Sequence, residues 1–483
     1  MFYYEKIFLL ALSIALPSPF LIAQIVSNDS MASAEKSAVI EPRDFIVVGE
    51  INIIGNKVTK SHIILREISF HPGDTIEKLE LQTKLKSAKE NLLNTSLFNF
   101  VKVDTIPLGS QRVNILVTVA ERWYTWPVPI FEVQERNFNE WWKTKNFNRA
   151  NYGFFLNREN FRGRKEELSL YAQFGYTQKY GLSYTIPYLT HKQTSGAGLS
   201  FSYSRNREIA YRTQNNHVVY FKNPDEYVRE ELNGKLNYTY RRGIHNKHYF
   251  ECRFIKASIN DTLKSYTIDY FVNNETEMKY FVMDYSYRSD YRDSKQYPLQ
   301  GYFWEFEITK LGFGILKDEK IDITNLFLTL RDYEKLSNRF YLSGGLKFKF
   351  SPSKNQPYYV QKGLGWRDYV RGYEYYVIDA QSYGIAKLGL KYEIIKPHVK
   401  SFEIPALNKF STFHYALYAN IFGDAGYADD HQYSLTNPLS NSLIYGYGAG
   451  IDYVTYYDVV IRFEYSFNKE FEHGFFVHFN AGI

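Results

Sequence analysis

Residues 168–176 read Leu-Ser-Leu-Tyr-Ala-Gln-Phe-Gly-Tyr, and the reading of this stretch decides the class of fold. Leu168, Leu170, Ala172, Phe174 and Tyr176 share one face of an extended chain, while Ser169, Tyr171, Gln173 and Gly175 share the other. The same two-residue period returns at Trp304, Phe306 and Ile308 against Glu305, Glu307 and Thr309. It returns again at Leu346, Phe348 and Phe350 against Lys347 and Lys349, and at Ile461, Phe463, Tyr465 and Phe467 against Arg462, Glu464 and Ser466. A single strand of this kind fits two settings. In a soluble sandwich the polar face looks to water; in a membrane barrel the apolar face looks to lipid and the polar face lines a wet lumen.

Number and length separate the two. Sixteen segments begin near residues 128, 149, 165, 178, 195, 229, 245, 277, 300, 321, 338, 384, 412, 443, 457 and 472, and most run ten residues or more. That length crosses a bilayer at a tilt, and an even number lets the sheet close without an edge in lipid. Connections alternate between tight turns (Arg242-Gly243, Thr455 to Tyr457) and long polar loops at 206–228, 260–276, 351–383 and 425–442, with 395–411 a longer exception among the tight ones. Composition agrees: aromatic residues make up 18%, with 44 Tyr and 37 Phe, and such rings collect at membrane interfaces.

Upstream of this region the pattern changes. Phe45 to Ile54 is strand-like and ends in the turn pair Gly55-Asn56. Thr59 is placed to cap a helix from Lys60 to Ser69, and Gly73-Asp74-Thr75 to break it and cap the next. That next helix sets Leu81, Leu85, Ala88 and Leu92 on one stripe, and strands over 97–106 and 112–120 follow. The expected fold is therefore mainly β: a sixteen-stranded antiparallel transmembrane barrel over 122–483, preceded by one small α+β domain of βααββ order over 44–121. Ile7 to Leu16 is too short to span a bilayer and suits an export signal over 1–23, with cleavage near Ala23 or as late as Ala34 and a linker over 24–43.

Several function classes lose support. The net charge of +6 is dispersed, with no basic block for nucleic acid. One cysteine, Cys252, permits neither an intrachain disulfide nor a thiolate metal cluster. There is no Gly-x-Ser-x-Gly elbow, no His-Glu-x-x-His, no metal spacing among the 11 His and no phosphate-cradling loop, so no catalytic residue, metal, cofactor or nucleotide is expected.

The longest loop, Ser351 to Tyr383, contains Val370-Arg371-Gly372-Tyr373. Glu393 shares a face with Lys387 and Lys391, and Asp424, in Phe422-Gly423-Asp424-Ala425-Gly426, lies opposite Phe413, Tyr415, Leu417 and Ile421. Both acids should face the lumen, so a loop folded inward would bring Arg371 between Glu393 and Asp424 in a shielded, charge-assisted pair.

On these residues the chain resembles the BamA/TamA-like outer-membrane assembly proteins. Val370 to Tyr373 looks like the signature of their inward loop, and Phe422, Asp424 and Gly426 look like the matching wall motif. Tyr392-Glu393-Ile394 resembles the strand with the second acid, and residues 44–121 resemble a POTRA domain. The resemblance implies the bacterial outer membrane, a POTRA-like domain in the periplasm, unfolded outer-membrane clients, accessory periplasmic or lipoprotein subunits, and insertion of clients through a seam between first and last strands. Pro127 and Pro129 at the start of the first strand, with Gly474, Phe479 and Ile483 on the last, would mark that seam, because proline donates no ladder hydrogen bond; the alternative is that the prolines merely start the strand at the interface. The chain departs from the pattern in carrying one POTRA module and in ending at Gly482-Ile483 rather than on an aromatic residue. A secretion pore that exports a partner protein is the alternative.

Overall fold

The computed structural model describes residues 44–133, 150–267, 269–401, 412–455 and 459–479. The first of its sheets holds β1 (Phe45–Ile54), β2 (Thr75–Glu77), β3 (Phe98–Pro107) and β4 (Arg112–Glu121) in the order β2-β1-β4-β3. Helices α1 (Ser61–Leu65) and α2 (Lys78–Leu93) cover it. Leu81, Leu85, Ala88 and Leu92 pack on Val48, Ile115 and Val117, so the helical stripe and the strand alternation meet in one core.

Three local expectations fail here. The element order gains β2, a three-residue strand antiparallel to β1, which is too short to show a period. Asp74 and Thr75 do not cap α2; Thr75 opens β2, Glu77 is the cap residue without a side-chain bond, and Asp74 Oδ2 accepts from the His71 amide at 2.7 Å. Thr59 does not cap α1 either. Its hydroxyl bonds the Tyr124 hydroxyl at 3.1 Å and accepts from Asn160 at 2.9 Å, and α1 is five residues long.

Sixteen further strands pair antiparallel in chain order. They are β5 (Thr125–Val133), β6 (Ala150–Phe161), β7 (Glu166–Gly175), β8 (Thr177–Ile186), β9 (Ser195–Asn206), β12 (Arg229–Tyr240), β13 (Asn246–Ile259) and β14 (Glu277–Asp290). The second half is β15 (Gly301–Leu311), β16 (Ile323–Lys335), β17 (Phe340–Phe350), β18 (Ser382–Ser401), β19 (Thr412–Asp429), β20 (Leu443–Val454), β21 (Val460–Asn468) and β22 (His473–Phe479). Every expected start lies within three residues of an observed one. Leu170, Phe174, Phe306, Ile308, Phe463 and Tyr465 are exposed on the outer face, whereas Arg462, Glu464 and Ser466 are buried inside. Tyr176 leaves its expected face: Gly175 has φ +104°, β7 ends there, and the ring turns inward. Among the described residues no pairing joins β5 to β22.

The lumen is not wet throughout, as the alternation alone would have it. On β13, Glu251 and Arg253 point inward beside outward Phe250 and Phe254, yet higher up Ile255, Ala257 and Ile259 point inward beside outward Lys256. Lys256 and Lys279 both pair with Glu277 on the outside, at 3.3 Å in the first case. The strands have left the lipid belt at that height, so their outer face meets water and their inner face becomes core. That core is a dome built with β10 (Glu208–Gln214), β11 (His217–Lys222) and the loops at 260–276 and 351–381. The β10–β11 hairpin turns at Asn215-Asn216, both at positive φ, the conformation that a tight hairpin turn requires.

The N-terminal domain is bonded to the barrel turns at the opposite end. Glu67 receives both Arg241 terminal nitrogens, at 2.8 and 2.7 Å, and the Tyr188 hydroxyl at 3.0 Å. Arg66 donates to the carbonyls of Gln193, Arg241 and Gly243, and Asn94 donates to those of Arg292 and Asp293. Burial pushes the Glu67 carboxyl up, but the hydrogen bonds and charge of Arg241 outweigh it and hold it at about 2. A depressed carboxyl stabilises docking above its unfolded value near 4.3 and loses that contribution as pH falls toward 2. Protease sensitivity of the domain junction is therefore expected to stay flat from pH 8 to 5 and to rise only below about 4. Arg241→Met is expected to expose the junction at neutral pH, because it leaves Glu67 buried and unpaired at a cost of about 3–5 kcal/mol.

Candidate functional site

The loop between β17 and β18 folds back into the barrel and is tied to its wall. Leu364 and Ile378 bridge its two limbs, Lys347 pairs with Asp368 at 2.7 Å, and Tyr383 donates to Asp368 at 2.8 Å. Lys349 Nζ donates to the Lys362 carbonyl at 2.9 Å. Val370 is fully buried against the wall, where a Cβ on Gly426 would come within 2.7 Å of it, so glycine at 426 makes room for the loop.

Arg371 follows at the deepest point. Its Nη2 and Nε reach the two Asp424 oxygens at 2.6 and 2.9 Å, and its own amide donates to Asp424 at 3.1 Å. Nη1 reaches Glu464 at 3.2 Å, and the guanidinium lies 3.8 Å from the Phe422 ring centroid. The side chains of Arg371, Asp424 and Glu464 are 6%, 0% and 1% exposed, so water screens none of these contacts. The cluster continues through Lys387 to Asp424 (3.4 Å), Arg462 to Glu464 (3.6 Å) and Arg462 to Asp452 (2.6 Å). Three cations thus face three carboxylates, a balance that burial requires.

Gly372, at φ +92°, turns the chain so that its carbonyl accepts from Asn468 at 3.0 Å. The Tyr373 hydroxyl accepts from the Lys469 amide at 3.2 Å. The loop also touches the last strand. Tyr369 stacks on His478, with centroids 5.8 Å apart, Tyr375 packs on Phe476, and His478 Nε2 lies 3.4 Å from Glu464.

Glu393 is the correction. It is buried and inward, as its face requires, but among the described residues it does not meet Arg371. It is paired in register with Tyr418, six residues below Asp424 on β19, which is roughly 20 Å along a strand. The second acid is Glu464, whose inward face the Arg462-Phe463-Glu464-Tyr465 alternation already displayed. Glu464→Gln is accordingly expected to loosen the loop, measured by cleavage within 351–381, and Glu393→Gln to leave cleavage unchanged.

At the sheet's ends, Tyr124 accepts from the Glu159 amide at 2.8 Å, so even-numbered residues of β5 turn their amides toward β6. Pro127 and Pro129 therefore lie on the other edge of β5, the one that would face β22. On β22 the Glu472 carbonyl accepts from Asn468 at 3.0 Å, which turns the Gly474 amide toward β21 and those of Phe475, Val477 and Phe479 toward the open edge. Gly474 thus contributes no donor to the seam, and Ile483 lies outside the described residues.

A sixteen-stranded barrel plugged by an arginine-anchored loop and fronted by one small α+β domain defines a class of outer-membrane protein. The chain belongs to the Omp85 superfamily: the Omp85 superfamily domain matches residues 160–483, and the POTRA model, described as a surface antigen variable number repeat, matches residues 46–122. No curated protein matches the chain. Among solved structures it is similar to CdiB from Escherichia coli (13% identity, covering 90% of this chain and 75% of that one, TM-score 0.52). It is also similar to BamA from Haemophilus ducreyi lacking POTRA domains 1–3 (14% identity, covering 90% and 83%, TM-score 0.49). At such identities the likeness concerns the fold.

Proposed function

We propose that this protein is an outer-membrane assembly factor that inserts client β-barrel proteins through the seam between β5 and β22, with its POTRA domain in the periplasm. The observation that carries the reading is the pair of edges at the ends of the sheet, which no pairing joins among the described residues. Two prolines remove two donors from the β5 edge, and each missing ladder bond costs about 1 kcal/mol net, more where lipid leaves the partner unpaired. A seam short of bonds opens more readily and templates an incoming strand by β-augmentation. The edge of β3 in the POTRA domain offers the same chemistry to an unfolded client beforehand. The loop carrying Arg371 contributes by holding β22 through Tyr369 and Tyr375, which ties the wall cluster to the seam.

Export of a soluble partner through the lumen is the rival. The apolar dome and the anchored loop count against it, since both fill the path such a partner would take. Depletion of the protein followed by an inventory of the outer-membrane proteome separates the two. Assembly predicts that several barrel proteins fall together; loss of one secreted protein with barrels unchanged would point to export.

A further inference from the structure

Between the dome and the inner wall lies a cavity of about 510 Å³, within the range that holds drug-sized ligands. Its charges are not matched in the way those around Arg371 are. Two of its lining charges are neutralised from outside the cavity, Glu208 by Lys222 at 3.3 Å and Arg253 by Glu251 at 2.7 Å. Arg229, Lys362 and Glu231 remain. Arg229 donates to the Tyr270 hydroxyl and to Asn206, but its buried Nε has no acceptor, and among the described residues no carboxylate lies within ion-pair distance of it. Lys362 Nζ sits 4.1 Å from the Trp366 ring centroid, again without a carboxylate. Glu231 accepts from the Tyr359 hydroxyl at 2.8 Å and, among the described residues, has no cation within ion-pair distance.

Aromatic walls complete the site. Tyr280 and Tyr358 line it as buried rings, while Trp366, also in its lining, is 37% exposed. Flat rings stack on the C–H faces of a pyranose, a carboxylate accepts from its hydroxyls, and an arginine and a lysine bind an attached acid group. We propose that this cavity binds an anionic saccharide, a sugar bearing a carboxylate or phosphate. Its acid group lies at Arg229 and Lys362, its hydroxyls at Glu231, and one ring face against Trp366. The site shares no residue with the Arg371 cluster, so it stands independently of the assembly reading.

The purified full chain in lipid nanodiscs, titrated with digalacturonate and with neutral maltose, tests the assignment. Saturable digalacturonate binding is expected, with a change in tryptophan fluorescence that Trp366→Phe removes. Arg229→Gln and Lys362→Gln should each weaken it at least tenfold, with folding checked by heat-modifiable mobility on gels. Including lipopolysaccharide in the nanodiscs distinguishes the source: competition assigns a glycolipid headgroup, and undiminished affinity assigns a free saccharide. No saturable binding, equal binding of maltose, or full affinity in both charge variants would overturn the proposal.

Discussion

Arg371→Ala is expected to free the loop at 351–381, cut client insertion by tenfold or more and leave a folded barrel. The substitution strands Asp424 and Glu464 as buried carboxylates without their main counter-charge, at a cost of about 3–5 kcal/mol. That energy falls on the docked state of the loop, because a released loop admits water to both acids. At 1.4 kcal/mol per factor of ten, the balance between docked and released loop shifts by roughly two to four orders of magnitude. The sixteen-stranded ladder is made of backbone bonds and keeps them all, so heat-modifiable mobility should persist while proteases gain access to the loop. Arg371→Lys is expected to fall between, since an ammonium does not reproduce the fork that spans both Asp424 oxygens. Normal insertion at normal protein levels in the alanine variant would remove the loop from the mechanism.

The second large effect concerns the seam. Cysteine pairs placed between residues 130–133 of β5 and 475–479 of β22, in a Cys252→Ser background that removes the one native thiol, are expected to cross-link under mild oxidation and abolish insertion, with activity returning on reduction. Arg371→Ala should slow cross-linking as well, because Tyr369 and Tyr375 no longer hold His478 and Phe476 in place. A cross-linked barrel that still inserts clients at full rate would mean that the seam is not the route.

The two-residue alternation was legible because each strand carries both environments in its own sequence, lipid on one side and lumen on the other. For the same reason the strand starts that the sequence displays lie within three residues of those in the structure. What a strand does not carry is its height relative to its neighbours. Tilt and stagger belong to the whole barrel, so Glu393 and Glu464 were equally inward by parity and only the assembled register chose between them. The dome was hidden for a related reason. Ile255 and Ala257 keep the alternation of Glu251 and Arg253 but reverse its polarity, and the reversal marks the membrane edge only once the loop that covers them is known. Thr59 and Asp74 are residue types that cap helices, yet here one bonds across to Tyr124 and Asn160 and the other closes a local turn on His71, partners that no local pattern displays.

The assembly reading meets its most direct test in reconstitution. The full chain in liposomes, offered a urea-unfolded outer-membrane protein, is expected to raise the folding rate of that protein well above the rate in empty liposomes, and the cysteine-tethered seam should abolish the gain until it is reduced. Equal folding rates with and without the protein, alongside passage of a soluble polypeptide across the same membrane, would contradict insertion and place the chain among exporters.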